Sequence, residues 1–405
     1  MDSVNFQLGG GDWFSTIIFM LFWVVFLFFY PRLMVSQIMW KLERTARELE
    51  DMSEKSKKFI IREITKKQKP TKELKESINR FYEFFVIGPV SLDPYGVVPK
   101  FDHVIRAEKD RFTYFVRQIA PHLDSEEKAN IEMGLAGGIT VHEISKIVRH
   151  YVELVRKTKN IQIAMLLQMQ LPMIERIAKA MFKGTESLSK GEPIGDGLGP
   201  LVVADMAGKA TWKEIGEEEI IVTDTKANGR NLILVKAKGP GGRIGFPGKV
   251  VAKLVREKKI ARIITIDAAA KLEGEKTGSL AEGVGVAMGG PGTERFFIEE
   301  IIVKKNIPVD SIVVKMSQEE AITPMRKVIK DSMPEVRKSI NRSLEMTKSG
   351  DTVIIVGVGN TSGVGNSSKD AESVKAWIEK YERDLKAKRK DRKKKNKNHE
   401  DFEME

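Results

Sequence analysis

Apolar residues follow three patterns along the chain. At 13–30 they are continuous: WFSTIIFMLFWVVFLFFY carries no charge and only Ser15 and Thr16 as polar residues. From 33 to 64 they recur at helical spacing, at Leu33, Ile38, Leu42, Leu49, Met52, Phe59, Ile60 and Ile64, with charges between. That spacing predicts an amphipathic helix over 34–69, ended by Pro70. A second helix is predicted over 72–85, with Leu74, Ile78, Phe81 and Phe85 on one side. GPVSLDPYGVVPK (88–100) has the Pro and Gly content of a linker or ordered loop. Residues 101–183 predict helices throughout. One starts at the acidic run 124–127, glycines break the chain at 134–138, Thr140 to Glu143 make a capping box, and Pro172 kinks the run 161–182.

Beyond residue 190 short apolar runs alternate with glycine loops and amphipathic helices. Strands are predicted at 220–222, 232–235, 261–266, 311–314 and 353–356, and helices at 247–258 and 324–348. Strands that are apolar on both faces, alternating with helices, imply a three-layer α/β domain with a mixed or mostly parallel sheet. Sites in such sheets lie in loops at the carboxyl ends of strands.

The continuous run changes the picture most. Its 18 residues rise about 27 Å as a helix, close to a hydrocarbon core about 30 Å thick. Trp13, Tyr30 and Trp40 suit interfacial positions. Asp2 and Asp12 precede it, and Arg32, Lys41, Arg44 and Arg47 follow. The expectation is one transmembrane helix in the cell membrane, with the N-terminus outside and the remainder cytoplasmic. The expected domains are a short outer tail (1–12), the transmembrane helix (13–33), a juxtamembrane amphipathic helix (34–69), a helical domain (70–190), the α/β domain (191–370) and a charged helix with a basic tail (371–405).

Charge adds one feature. The net +12 is concentrated near the end, where 386–398 holds nine basic residues against Asp391 alone. Such a tail is expected to be disordered or a frayed solvated helix, with anionic lipid or RNA as its partner class. The absence of cysteine excludes disulfides, thiolate metal sites and a cysteine nucleophile. His103, His122, His142 and His150 match no metal motif and are read as structural or surface residues.

Four glycine loops stand out: 195–200, 239–249, 283–292 and 357–366. The second fails as a phosphate loop because five residues separate Gly242 from Gly248 and Val250 follows Lys249. The fourth has a GxGxxxG spacing with no second βαβ half after it.

Read together, several segments are more specific. DGLGPLVV (196–203) resembles the D-A-L-G-P-L-V-V run of the spore germination proteases. VIIVGVGN (353–360) resembles that family's strand and G-L-G-N loop, displaced toward the C-terminus. IITIDA (263–268), GGPGTER (289–295) and IPVDSIV (307–313) resemble its I-A-I-D-A strand end, its glycine loop leading to a basic residue, and its next strand. Hydrogenase maturation proteases share the skeleton. The resemblance covers about 193–366 and implies a circularly permuted phosphorylase/hydrolase-like fold. The whole chain also resembles an archaeal membrane-protein family of unknown function.

The resemblance implies catalytic roles for Asp196 and Asp267. Two close carboxylates cannot both ionise cheaply, so the pair would hold one proton and activate water, or bind a divalent metal. The histidine that helps bind metal in hydrogenase maturation proteases has no counterpart here. Asn360, Gly357, Gly359, Gly289 and Gly290 are candidate oxyanion or loop contacts, and Arg295 a candidate ligand contact. The alternative role for the pair is structural, with Asp196 capping a helix and Asp267 ending a strand. Two functional classes follow. One is a membrane-tethered, peptidase-like hydrolase acting on a protein or peptide. The other is a non-enzymatic anchored scaffold or ligand-binding protein, with phosphate or nucleotide in the glycine loops. Homo-oligomerisation stays open.

Overall fold

The computed structural model describes residues 13–66, 68–85, 96–290 and 292–402, and side chains from 391 onward are outside that description. The acidic N-terminal flank and residues 88–95 of the expected loop also lie outside the described residues.

Five helices come first: α1 (Trp13–Thr65), α2 (Lys72–Phe81), α3 (Val97–Ile119), α4 (Ser125–Thr158) and α5 (Ile161–Ser189). Among the described residues no helix is long and apolar enough to cross a membrane. The expected transmembrane span is therefore overturned, and with it the single-pass anchor and the localisation built on it, an outside N-terminus with a cytoplasmic remainder. The apolar run is the opening of a 53-residue helix that continues into charged sequence without a break.

The chain divides into two compact units, one formed by residues up to Met52 with His142–Arg176, the other by Ser53–Val141 with Ile177 onward. In the first, α1 buries Ile38, Leu42, Ala46 and Leu49 at three- and four-residue spacing, and Val148, Val152, Val155, Leu167 and Leu171 are buried from α4 and α5. Arg149 adds a polar clamp, bonded to Glu43 at 2.9 Å and Glu50 at 2.6 Å.

The second unit has a helical part and the α/β domain. Ile60, Ile64, Ile78, Phe81, Phe112, Val116, Ile131 and Leu135 form one apolar cluster across α1 to α4. The glycine run at 134–138 does not break the chain, because α4 passes straight through it. A Cβ on Gly134 would collide with the Ser189 hydroxyl, and one on Gly138 with the Tyr82 hydroxyl. These glycines let helices approach, and that packing outweighs their low helix propensity.

The α/β domain contains α6 (Leu198–Ala207), β1 (Lys213–Ile215), β2 (Ile220–Ala227), β3 (Arg230–Ala237), α7 (Pro247–Glu257), β4 (Arg262–Ala270), β5 (Leu280–Val284), α8 (Thr293–Lys305), β6 (Val309–Met316), α9 (Gln318–Ile322), α10 (Lys327–Lys330), α11 (Met333–Glu345), β7 (Thr352–Gly357) and α12 (Ser368–Phe402). The sheet is mixed, in the order β1-β2-β3-β7-β4-β6-β5. β3, β7, β4 and β6 run parallel, and β1, β2 and β5 join antiparallel at the two sides.

Period-2 alternation sends Leu232, Leu234, Ile264, Ile266, Val353 and Ile355 to one face, where α6, α11 and α12 cover them. Ile233, Val235, Ile263, Ile354 and Val356 face α7 and α8. The helix expected over 324–348 is split into α10 and α11, and Pro334 stands in the first turn of α11, where a missing N–H costs nothing. The basic tail continues α12 as helix to Phe402.

Candidate functional site

β7 ends at Gly357, opposite Ile266, while β4 runs on past Asp267 to Ala270 beside β6. The displaced strand 353–356 thus pairs in parallel with the strand that carries Asp267. Beyond β7 the chain turns over that edge, and Val358 donates its N–H to the Ile266 carbonyl at 2.9 Å. The 3-10 turn Gly195–Gly197 and the start of α6 press against this loop from the other side.

That contact requires glycine. A Cβ on Gly199 would strike the carbonyl oxygens of Val358 and Ile266, and a Cβ on Gly359, at φ +127°, would strike the Asp196 carbonyl. The glycines of DGLGP and GVGN are therefore consumed in bringing two backbones together, which places Asp196 beside the end of β4.

Asp196 is half-buried, and its Oδ2 accepts the Asn360 N–H at 2.8 Å. Burial pushes its carboxyl above the usual range, against the pull of that hydrogen bond. Asp267 is 6% exposed. Its Oδ1 accepts from Ala268 N–H at 2.7 Å and its Oδ2 from Gly289 N–H at 3.1 Å. Burial first, and then the charge of Asp196, raise it to about 7. The charge of Asp196 thus opposes ionisation of Asp267.

The remaining expected residues divide. Asn360 and Gly289 donate to the two aspartates, so their N–H groups position carboxylates and are not free for an oxyanion. The Asn360 Oδ1 accepts the Ser362 N–H at 2.8 Å. Gly357 and Gly359 serve as packing surface. Gly290 lies in an adjoining cavity wall. Arg295 points elsewhere, exposed and bonded to Glu299 at 2.6 Å within α8. Lys249 does not face a phosphate loop, being bonded to Asp102 at 2.6 Å. Among the described residues no group of three or more His, Asp or Glu side chains is placed to hold a metal ion. A divalent metal at the pair would have two carboxylates from this chain.

Sequence reasoning passed over Lys236. It is fully buried on β3, donates to the Ala237 carbonyl and the Asn366 Oδ1 at 2.9 Å each, and is lowered to about 7 by burial. A lysine within the apolar run LILVKA was the available signal.

No curated protein matches the chain. A crystal structure of a protein of unknown function from Corynebacterium glutamicum ATCC 13032 is similar at 13% identity, over 42% of this chain and 67% of that one, with a TM-score of 0.20. That likeness is too slight to carry an argument. Two family models match in tandem: the N-terminal domain of a protein of unknown function, DUF1512, over residues 16–191, and the C-terminal domain of the same family over 194–365. Their boundary falls just before the turn that carries Asp196, and the chain belongs to the DUF1512 family.

Proposed function

We propose that the α/β domain is a peptidase-like hydrolase in which Asp196 and Asp267 share one proton and activate water. The observation that carries this is the placement of the two carboxyl groups at the adjoining ends of β4 and the 195–197 turn, with Asp267 raised to about 7 partly by the charge of Asp196. At neutral pH one member is ionised and the other protonated, the state that acid–base chemistry on an amide requires. The ionised carboxylate takes a proton from water as the water oxygen bonds to the carbonyl carbon. The protonated member donates to the carbonyl oxygen. Collapse then breaks the C–N bond, and the amine leaves with a proton returned through the pair.

A second use of the pair has its own support. Each aspartate accepts a backbone N–H from a glycine-rich loop, so the carboxylates could serve only to tether those loops in a non-enzymatic protein. A phosphate or nucleotide in the 283–292 loop is less well supported, because Gly289 N–H already faces a carboxylate that would repel it.

The test is hydrolysis of a peptide library by the purified full chain, read by mass spectrometry, beside Asp196→Asn and Asp267→Asn. Cleavage by the wild type that is lost in both folded variants supports the hydrolase. Cleavage unchanged in either variant, or none by the wild type, overturns it.

A further inference from the structure

On the far side of the 289–290 loop a cavity of about 320 Å³ opens between α3, α4 and the α/β domain, within the second compact unit. Ile105 and Phe112 of α3, Met133 and Ala136 of α4, and Ile244 and Phe246 from the loop between β3 and α7 supply its apolar wall. Gly289 and Gly290 close one end. A Cβ on either glycine would meet nothing within 4 Å, so the wall there is bare backbone facing open space.

The charged groups around the cavity leave no place for an ionic ligand. Lys109 is bonded to Glu219 and Arg243 to Glu126, at 2.5 Å each, so neither cation is free to receive an anion. Glu108 has a partner. The unbonded Oε1 of Glu294 is sealed in protein, out of reach of anything the cavity holds. An ion entering here would shed its hydration with no opposite charge to replace it.

Glu132 is the polar group that stays open. It lines the cavity from α4, and its one hydrogen bond among the described residues is from the Thr113 hydroxyl to Oε2 at 3.0 Å. Its Oε1 is not among the sealed unbonded atoms of the described residues. Burial raises this carboxyl above its usual range, against the pull of the Thr113 hydrogen bond and of Lys109 and Arg243.

We propose that this cavity binds an uncharged aromatic molecule of one or two rings, whose single polar N–H or O–H donates to Glu132 Oε1 while its ring lies among Phe112, Met133 and Phe246. Volume, wall and charge agree. An apolar cavity of about 150 Å³ takes up benzene, and this one is about twice that size. Phenyl rings and a methionine sulfur are favourable neighbours for an aromatic guest. Small-molecule sites are commonly of this make, mostly apolar with a few placed polar groups that fix orientation. The cavity shares only the 289–290 loop with the aspartate pair, so its ligand chemistry does not depend on the hydrolase proposal.

Calorimetric titration of the full chain with indole tests this, beside 1-methylindole, which lacks the donor, and indole-3-acetate and tryptammonium, which add a negative and a positive charge. Indole should bind at millimolar concentration, more tightly than either ion and about fivefold more tightly than 1-methylindole. Ala136→Leu fills the cavity and should weaken indole binding about tenfold. Glu132→Leu removes the acceptor and should bring indole down to the level of 1-methylindole. Circular dichroism verifies folding of both, and the ligand series on the wild type stands even where a variant fails to fold. Tighter binding of either ion than of indole overturns the proposal. So does equal binding of indole and 1-methylindole, undiminished indole binding in folded Ala136→Leu, or no indole binding by the folded wild type.

Discussion

Lys236 and Asp267 stand at the same level of the sheet on opposite sides of β7: Lys236 is opposite Gly357, and Gly357 is opposite Ile266, the residue before Asp267. Both are buried, and burial moves both to about 7 from opposite directions. Their surroundings differ. Lys236 spends its donors on neutral acceptors, the Ala237 carbonyl and Asn366, and Asn366 is itself fixed to the Gly239 N–H at 3.0 Å. Asp267 faces a second carboxyl group that is half-buried. Desolvation alone therefore does not mark a reactive centre. What separates the two is whether the charge is absorbed by the fold or opposed by a like charge.

The largest expected effect lies on the acidic side. Asp267→Asn and Asp196→Asn should each lower peptide hydrolysis at least 100-fold, the usual scale for losing an acid–base group. Lys236→Asn at the same sheet level tests the opposite role, since it should alter stability without specifically removing the proton-sharing pair.

Next in size is stability at Lys236. Lys236→Ala leaves a cavity and strips a donor from Asn366 and Ala237, and should cost about 3 kcal/mol in chemical denaturation. Lys236→Met keeps the volume and should recover most of that, because a buried charge is replaced by an apolar chain of similar shape. Equal losses in both variants would show that the ammonium, not the packing, holds the loop.

The same contrast predicts opposed pH dependences. Asp267 binds its proton more tightly folded than unfolded, so stability should fall as pH rises from about 4 to 7. Lys236 binds its proton less tightly folded, so stability should rise as pH goes from about 7 toward 10.5. Each limb is on the order of a few kcal/mol. Urea titrations across pH should show the lower limb flattened in Asp267→Asn and the upper limb flattened in Lys236→Met. A lower limb that survives Asp267→Asn would mean that another group carries it.

The smallest expected effect is at Arg295. It is exposed and, among the described residues, paired along its own helix, so Arg295→Ala should move stability by less than about 0.5 kcal/mol and leave hydrolysis unchanged. A large loss of hydrolysis would return Arg295 to the site.

Legibility in the sequence tracked the range of the interaction that decides each feature. Val353 to Val356 and Ile263 to Ile266 are buried on both faces of the sheet, and a run apolar at all but Thr265 carries that message locally. β5 did not show itself, because Leu280 to Val284 is a half-covered edge strand with exposed Gly283 and Val284. The Asn228-Gly229 turn between β2 and β3, with both φ values positive, was a readable hairpin signal that went unused. The glycines of α4 misled because the partners that need them, Ser189 and Tyr82, are distant in sequence. The continuous apolar run misled in another way. It matched a membrane span in composition, but it opens a longer helix that runs on into charged sequence, and among the described residues no helix is long and apolar enough to cross. For the site, the motif resemblance pointed to Asp196 and Asp267, but not to the donors that Gly289 and Asn360 direct at them.

The central claim is that Asp196 and Asp267 titrate as one unit. Carboxyl carbon-13 NMR of aspartate-labelled protein follows this directly. The Asp267 resonance should show a midpoint near 7 in the wild type and a lower one in Asp196→Asn, where the neighbouring charge is gone. A midpoint in the ordinary range near 4, or one that Asp196→Asn leaves in place, would contradict the account.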